Sequence, residues 1–444
     1  MLTRDVAPAG RLPHPVAYSI LIIPFGAMSG YVSVAMAFLC TRFGLSVQDG
    51  ALLIAAGMFP HVWKFFWAPL ADTTLSRKKW YVLSVVLCAL GICAMSAVPM
   101  SKGNLRLLEV VIFVANLAST FLGMSVEGLM AHATPPEQRG RVGGWFQAGN
   151  LGGNGLGGGA GLWMATHLPY PWLSGVVLGA CFLAGAWALV LVPEARAEGR
   201  TRSVPAAMFG AVKELFLLIF SRAGALCGAL CLLPMNTGAV TGVLAQAEVA
   251  AKWGVAEDTV ALVNGVLNGL VSAAGCLVGG VLCARFNSRW VYAAVAVLMA
   301  AVSAIMAVAP FTPSAYVVFT LLYAFVVGLS YTAFTGFVLD AIGKGAAATK
   351  YNAFASLSNT PITYMGLVLA WAQTTWAEKG MLFTDAAAGV IGLLVLGLIA
   401  AVLRERRVPG AGTVCASCGV PAGRLNSARC PECGAGVPGG TANS

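Results

Sequence analysis

The chain has 444 residues, of which 58% are apolar and only 10% charged, with a formal net charge of +10. A soluble domain sits near 45–50% apolar and about 25% charged, so there is too little polar surface here to cover a soluble globule, and lipid must be the solvent for much of it. The positive charge alone would suit nucleic acid, but it is gathered at the ends of apolar segments and is excluded as a nucleic-acid footprint.

A helix needs about 20 apolar residues to cross the hydrocarbon core. The first candidate, 15–40, is longer than the apolar core of a secretion signal and reads as a retained first helix. The next are 49–70, 80–99, 105–131, 141–166 and 171–192. A polar linker follows over 193–213, and then come 214–247, 257–283, 289–309, 314–341, 350–375 and 385–403. The expected fold is an all-α membrane protein of twelve transmembrane helices in two six-helix bundles, 1–192 and 214–404. A tether and zinc-ribbon-like tail occupy 405–444.

Of the 27 Lys and Arg residues, 21 fall on one face of this arrangement, five on the other, and Lys64 within a span. The positive-inside rule then places both termini in the cytoplasm, in a cytoplasmic (inner) membrane. The halves also resemble each other: Arg141-Val-Gly-Gly-Trp-Phe-Gln-Ala-Gly-Asn150 lies over Lys350-Tyr-Asn-Ala-Phe-Ala-Ser-Leu-Ser-Asn359. A repeat of six helices is what carriers that alternate access between two bundles show.

Polar residues inside apolar spans are costly and point to function by default. Lys64 lies eight residues before Asp72, roughly 12 Å into the core at 1.5 Å per residue. His61 is one turn deeper on the same face, where a packing role is the plainer reading. Glu127, near the end of the fourth span, falls at a similar depth to Lys64 and is a candidate proton carrier, or half of a fixed ion pair. Asn150, Asn154 and Asn236 either line a cavity or bond to neighbouring helices. Asp72, Arg77 and Lys78 form a candidate gate, together with Arg139, Arg285 and Asp340 at other loop ends. Asp340 is read as a structural partner for Arg285 or Lys350. In the fifth span Gly149, Gly153, Gly157 and Gly161 recur every four residues, so one face can approach a neighbour closely. The run also fits G-x-G-x-x-G, but no strand precedes it and no P-loop lysine follows, which excludes a nucleotide loop. No set of catalytic residues suggests an enzyme.

Lys64-Phe-Phe-Trp-Ala-Pro-Leu-Ala-Asp72 followed by Arg77-Lys-Lys79 resembles the loop 2–3 signature of the major facilitator superfamily. Its Lys-x-x-Trp-x-Pro-Leu-x-Asp form is similar to the AmpG-type muropeptide permeases and the acetyl-coenzyme A transporters. Pro136-Glu-Gln-Arg-Gly140 and Ala348-Thr-Lys-Tyr-Asn-Ala353 agree with the same family. The resemblance implies a proton-driven importer. It also exposes a departure: the family commonly carries two acids four apart in helix 4, and here those positions are Gly123 and Glu127.

Cys415-Ala-Ser-Cys418-Gly and Cys430-Pro-Glu-Cys433-Gly form two matching knuckles. Four thiolates at this spacing suit one structural Zn²⁺, and the tail is a candidate dock for a cytoplasmic protein partner. The expected function is a secondary carrier of a small polar solute, proton-coupled and importing. The alternatives are a sensor or scaffold signalling through the tail, or a drug or metabolite efflux carrier.

Overall fold

The computed structural model describes residues 13–193, 204–342 and 347–405, and among these every regular element is a helix. The cysteines Cys415, Cys418, Cys430 and Cys433 lie outside the described residues. Helix α1 runs over Val16–Gly30, a π-turn Tyr31–Met36 and Ala37–Arg42; α2 over Val47–Trp63, a tight turn Lys64–Phe66 and Ala68–Thr73; α3 is Arg77–Ala97. Then come α4 (Leu105–Ala133), α5 (Arg139–His167), and α6 (Leu173–Gly185 continued by Ala186–Leu191). A connecting helix, Val204–Ile219, leads to α7, split into Arg222–Leu232 and Val240–Leu244. Helix α8 runs Glu257–Leu262, Val263–Leu267 and Asn268–Arg285; α9 is Ser288–Val308 and α10 is Pro313–Ile342. The run Ala347–Glu405 is broken at Ala377, where φ is 57°, and its two limbs are α11 and α12.

Eight of these helical runs are long and apolar enough to cross a membrane, or nine if one bent pair is a single span. The shortfall from the twelve expected spans has local causes. Pro69 cannot donate to the carbonyl of Phe65, so the ladder of α2 breaks there and the chain tightens through Lys64–Phe66. Helix α5 is 29 residues long but rich in glycine, which lowers its hydropathy. The expected span 214–247 is not one helix: Ala223–Leu232 is bent by 81° from Met208–Ile219. Ser221 starts the new helix by accepting from the Gly224 N–H at 3.0 Å. Pro234, Asn236 (φ 60°) and Gly238 (φ 69°) then interrupt it. The last two expected spans are fused into one run.

Helix α5 packs against α1, α8 and α10, α3 against α4 and α6, and α10 against α8 and α9. The glycines of α5 explain its role. Gly149, Gly153 and Gly157 meet the backbone of Ser19, Ile23 and Ala27 on α1, and Gly161 meets the Tyr31 ring. A second row on the same helix faces α8: Gly140 against Cys283, Gly144 against Gly280, and Gly155 against Gly269. The first row was visible in the sequence as a four-residue repeat, and the second was not. Residues up to Leu393 form one compact unit, and the stretch from Leu394, described through 405, forms another that continues α12.

Candidate functional site

The junctions of α2 with α3, α4 with α5, α8 with α9 and α10 with α11 carry Arg77, Lys78, Arg139, Arg285 and Lys350, and are called here the basic end. A cavity of about 240 Å³ is bounded on one side by Lys64 and Glu127. Its lining comes from both halves of the chain: Phe25, His61, Lys64 and Glu127 from α1, α2 and α4, Asn150 and Asn154 from α5. Asn236, Tyr331, Tyr351 and Asn359 complete the far wall.

The tight turn after Trp63 carries Lys64 into the interior, where the residue is 7% exposed. Its Nζ lies 3.9 Å from Oε1 of Glu127, which is 4% exposed. Neither charge would persist there alone, since removing one member of a buried pair leaves an uncompensated charge at about 3–5 kcal/mol. The second carboxylate oxygen of Glu127 accepts from Nδ2 of Asn352 at 2.6 Å. His61 pairs through Nε2 with Oδ1 of Asn116 at 3.2 Å and meets the Phe25 ring edge-on, with centroids 5.0 Å apart. The Phe25 ring also packs over Gly123 of α4. A Cβ at Gly123 would lie 3.0 Å from the Phe25 ring, so a larger side chain requires that ring to move.

Four consecutive residues of α11 each bind a different element at the basic end. The N–H and hydroxyl of Thr349 both donate to Oδ2 of Asp72 on α2, at 2.8 Å. The Ala348 N–H donates to the other oxygen at 3.3 Å, so Asp72 satisfies amides of the first turn that have no partner within the helix. Nζ of Lys350 lies 2.9 Å from Glu214 on the connecting helix. The Tyr351 hydroxyl is 3.1 Å from Thr335 of α10, which accepts from Gln147 of α5 at 2.8 Å. Asn352 holds Glu127 of α4.

The remaining sequence candidates are placed as follows. Arg77 approaches Asp72 at 4.0 Å, and Lys78 is partly buried at the start of α3. Arg139 pairs with Asp340 at 3.0 Å, tying α5 to α10. The expected partners of Asp340, Arg285 and Lys350, are therefore replaced: Arg139 starts the helix packed on α10, Lys350 points to Glu214, and Arg285 is exposed. Asn150 donates to Gln147 at 3.0 Å. Asn236 donates to the Tyr292 carbonyl at 2.8 Å, while its Oδ1 has no partner. Sequence reasoning missed Asn352, Thr349, Tyr351 and Gln147. The polar run Thr349–Asn352 at the start of an apolar span was the available signal. It also missed Asp385, buried on α12, which accepts from Ser303 at 2.6 Å and Tyr323 at 3.0 Å.

Residues 18–364 match the family described as the Major Facilitator Superfamily. Solved structures agree in fold. The chain is similar to the Escherichia coli fucose:proton symporter FucP, with TM-score 0.65 and 15% identity over 87% of this chain and 98% of that one. It is similar to the human organic anion transporter TETRAN, with TM-score 0.64 and 14% identity over 86% and 98%. Against the proton:xylose symporter XylE the TM-score is 0.62, with 11% identity over 86% and 95%. No curated protein matches the chain in sequence.

Proposed function

Because the chain belongs to the major facilitator superfamily and is a multi-pass membrane carrier of the secondary-transporter type, not an enzyme, we propose that it moves a small polar solute by proton-coupled import. The observation that carries this reading is the buried Lys64–Glu127 pair on the wall of a cavity lined by both halves. A buried carboxyl with one cationic partner can exchange a proton where a solvated surface acid only anchors topology. The amides and hydroxyls around it suit a solute rich in hydrogen-bonding groups, and two of the similar structures are named as proton symporters of sugars.

In this reading 1–192 and 214–404 are two six-helix bundles joined by 193–213. Helices α2, α5 and α7 count as spans despite Lys64, the glycines and the break at 233–239, and the run Ala347–Glu405 counts as two, giving twelve crossings with both termini in the cytoplasm. Irregular backbone at membrane depth is tolerated where it lines a cavity, and Asn236 in the break of α7 does so. Asp72, Arg77, Lys78, Arg139 and Asp340 then gate the cytoplasmic end. The Lys-x-x-Trp-x-Pro-Leu-x-Asp run supports the AmpG-type branch, while Phe25 beside Gly123 supports a substrate different from that branch's muropeptides. The test is a screen of small polar solutes in proteoliposomes with an imposed proton gradient. Accumulation of a solute that vanishes with the gradient is expected; gradient-independent uptake of every transported solute contradicts the coupling.

The cysteine tail is a separate proposal carried by spacing alone: Cys415, Cys418, Cys430 and Cys433 bind one structural Zn²⁺. Purified full-length protein should carry one zinc per chain, and Cys430→Ser should lose it without disturbing the membrane region. A stoichiometry near zero in reducing buffer contradicts it.

A further inference from the structure

Asn352 is fully buried on α11, and with Glu127 ionised its amide has one favoured orientation. Nδ2 donates to Oε2 of Glu127 at 2.6 Å and to the Ala348 carbonyl at 2.8 Å. A flipped amide would set its oxygen against a carboxylate and a carbonyl, so the network fixes the donor toward Glu127. The bond joins residues 225 apart in sequence, from the first half of the chain to the second. Its neighbours on the same turn bind other groups: Thr349 holds Asp72, Lys350 holds Glu214, and Tyr351 meets Thr335.

We propose that Asn352 is the positioning residue through which the protonation of Glu127 controls closure of the basic end. The proposal rests on the proton-coupled reading of that carboxyl. Ionised Glu127 is a charged acceptor, and hydrogen bonds to charged groups are roughly twice as strong as neutral ones. A proton on Glu127 removes that advantage and weakens its attraction to Lys64. The first turn of α11 then keeps only contacts that do not involve Glu127, and the basic end opens. The groups facing Glu127 are Lys64 and Asp72 from α2 and Tyr351 and Asn352 from α11. Lys64 comes from the same half of the chain as Glu127, and Asp72 is already engaged by Thr349. Asn352 is thus a bond to Glu127 that spans the two halves and changes strength with its proton.

The test uses the full chain in lipid nanodiscs, with exposed cysteines for spin labels at Leu75 and Phe286, on two loops of the basic end, in a background lacking the native cysteines. Distances are measured across pH for the parent, Glu127→Gln, Asn352→Leu and Asn352→Gln. The parent should shift between a short and a long distance as pH changes. Glu127→Gln and Asn352→Leu should lose that shift, and Asn352→Gln, which keeps a donor, should recover part of it. If Asn352→Leu does not insert, Asn352→Ala takes its place with the same expectation. A shift lost in Glu127→Gln but unchanged in the Asn352 variants overturns the role of Asn352 alone. A parent with no shift at all, or a Glu127→Gln variant that keeps it, overturns the proton reading together with the proposal.

Discussion

Two of the seams that join the first half of this chain to the second are made of opposite chemistry. Between α5 and α8 the contact is backbone on backbone: Gly144 on Gly280 and Gly155 on Gly269. Between α11 and the first half the contact is one polar turn, 348–352, in which carboxylates of α2 and α4 hold amides and a hydroxyl. A seam of this kind offers little for a proton to change, because its contacts at Gly144 and Gly155 are backbone on backbone and tolerate little variation. A polar seam concentrated in a few bonds can be broken by moving one proton. Under the proposed alternating access, the α5–α8 seam would serve as a fulcrum and the α11 turn as a latch.

The largest effect should come from the latch. Glu127→Gln keeps the shape of the side chain and removes its charge, so proton-driven accumulation should fall to background while exchange of solute down its own gradient persists. Proteoliposome uptake with and without an imposed gradient measures this. Retained accumulation would reduce Glu127 to a structural partner of Lys64.

Lys64→Ala should be next. It strands Glu127 in a buried site, and removing one partner of such a pair costs about 3–5 kcal/mol. Transport should be lost and the thermal midpoint lowered. The double variant Lys64→Ala with Glu127→Gln should regain stability but not transport. If the single variant is as stable and active as the parent, Lys64 reaches water along its own stem and the pair is incidental.

Substitutions in the fulcrum should act on stability and not on coupling. A Cβ at Gly144 would lie 2.7 Å from Cα of Gly280, so Gly144→Leu forces the two helices apart. Overpacking of this kind costs about 1–3 kcal/mol. Gly366, with open space around it, is the control, and Gly366→Ala should not lower the thermal midpoint. Equal effects at the two sites would mean that the seam is looser than described. The smallest effect is expected for Asp72→Asn. It keeps an acceptor for Thr349 but loses the charge at the start of α11, worth about 0.3–1 kcal/mol. Labelling of a cysteine at Leu75 should quicken modestly, with transport reduced and not abolished.

The two seams were unequally legible in the sequence. The glycine row toward α1 shows as a repeat of four, because one helical face returns at that interval. The row toward α8 is hidden, since Gly140, Gly144, Gly155 and Gly159 are separated by Leu151 and merge with the first row in a glycine-rich stretch. Lys64 and Glu127 stood out because charge is rare in apolar spans, and their equal depth followed from parallel helices and a fixed rise per residue. Asn352 did not stand out, because a single amide at a helix start is ordinary and its importance comes from a partner 225 residues away. The partner of Asp340 was misjudged for a similar reason. Loop-end charges were matched by proximity along the chain, whereas helix packing brought Arg139 to it. The break of α7 was legible only in part: Pro234 and Gly238 lie within the expected span 214–247, but apolar content masked them.

The central claim is that a proton on Glu127 moves with the solute. It is tested most directly by reconstituting the chain in liposomes that contain a pH-sensitive dye and adding small polar solutes one at a time without an imposed gradient. The account predicts that a transported solute carries protons into the lumen with the parent. It also predicts that Glu127→Gln exchanges the same solute with no proton movement. Solute entry without proton movement in the parent, or equal proton movement in Glu127→Gln, would contradict it.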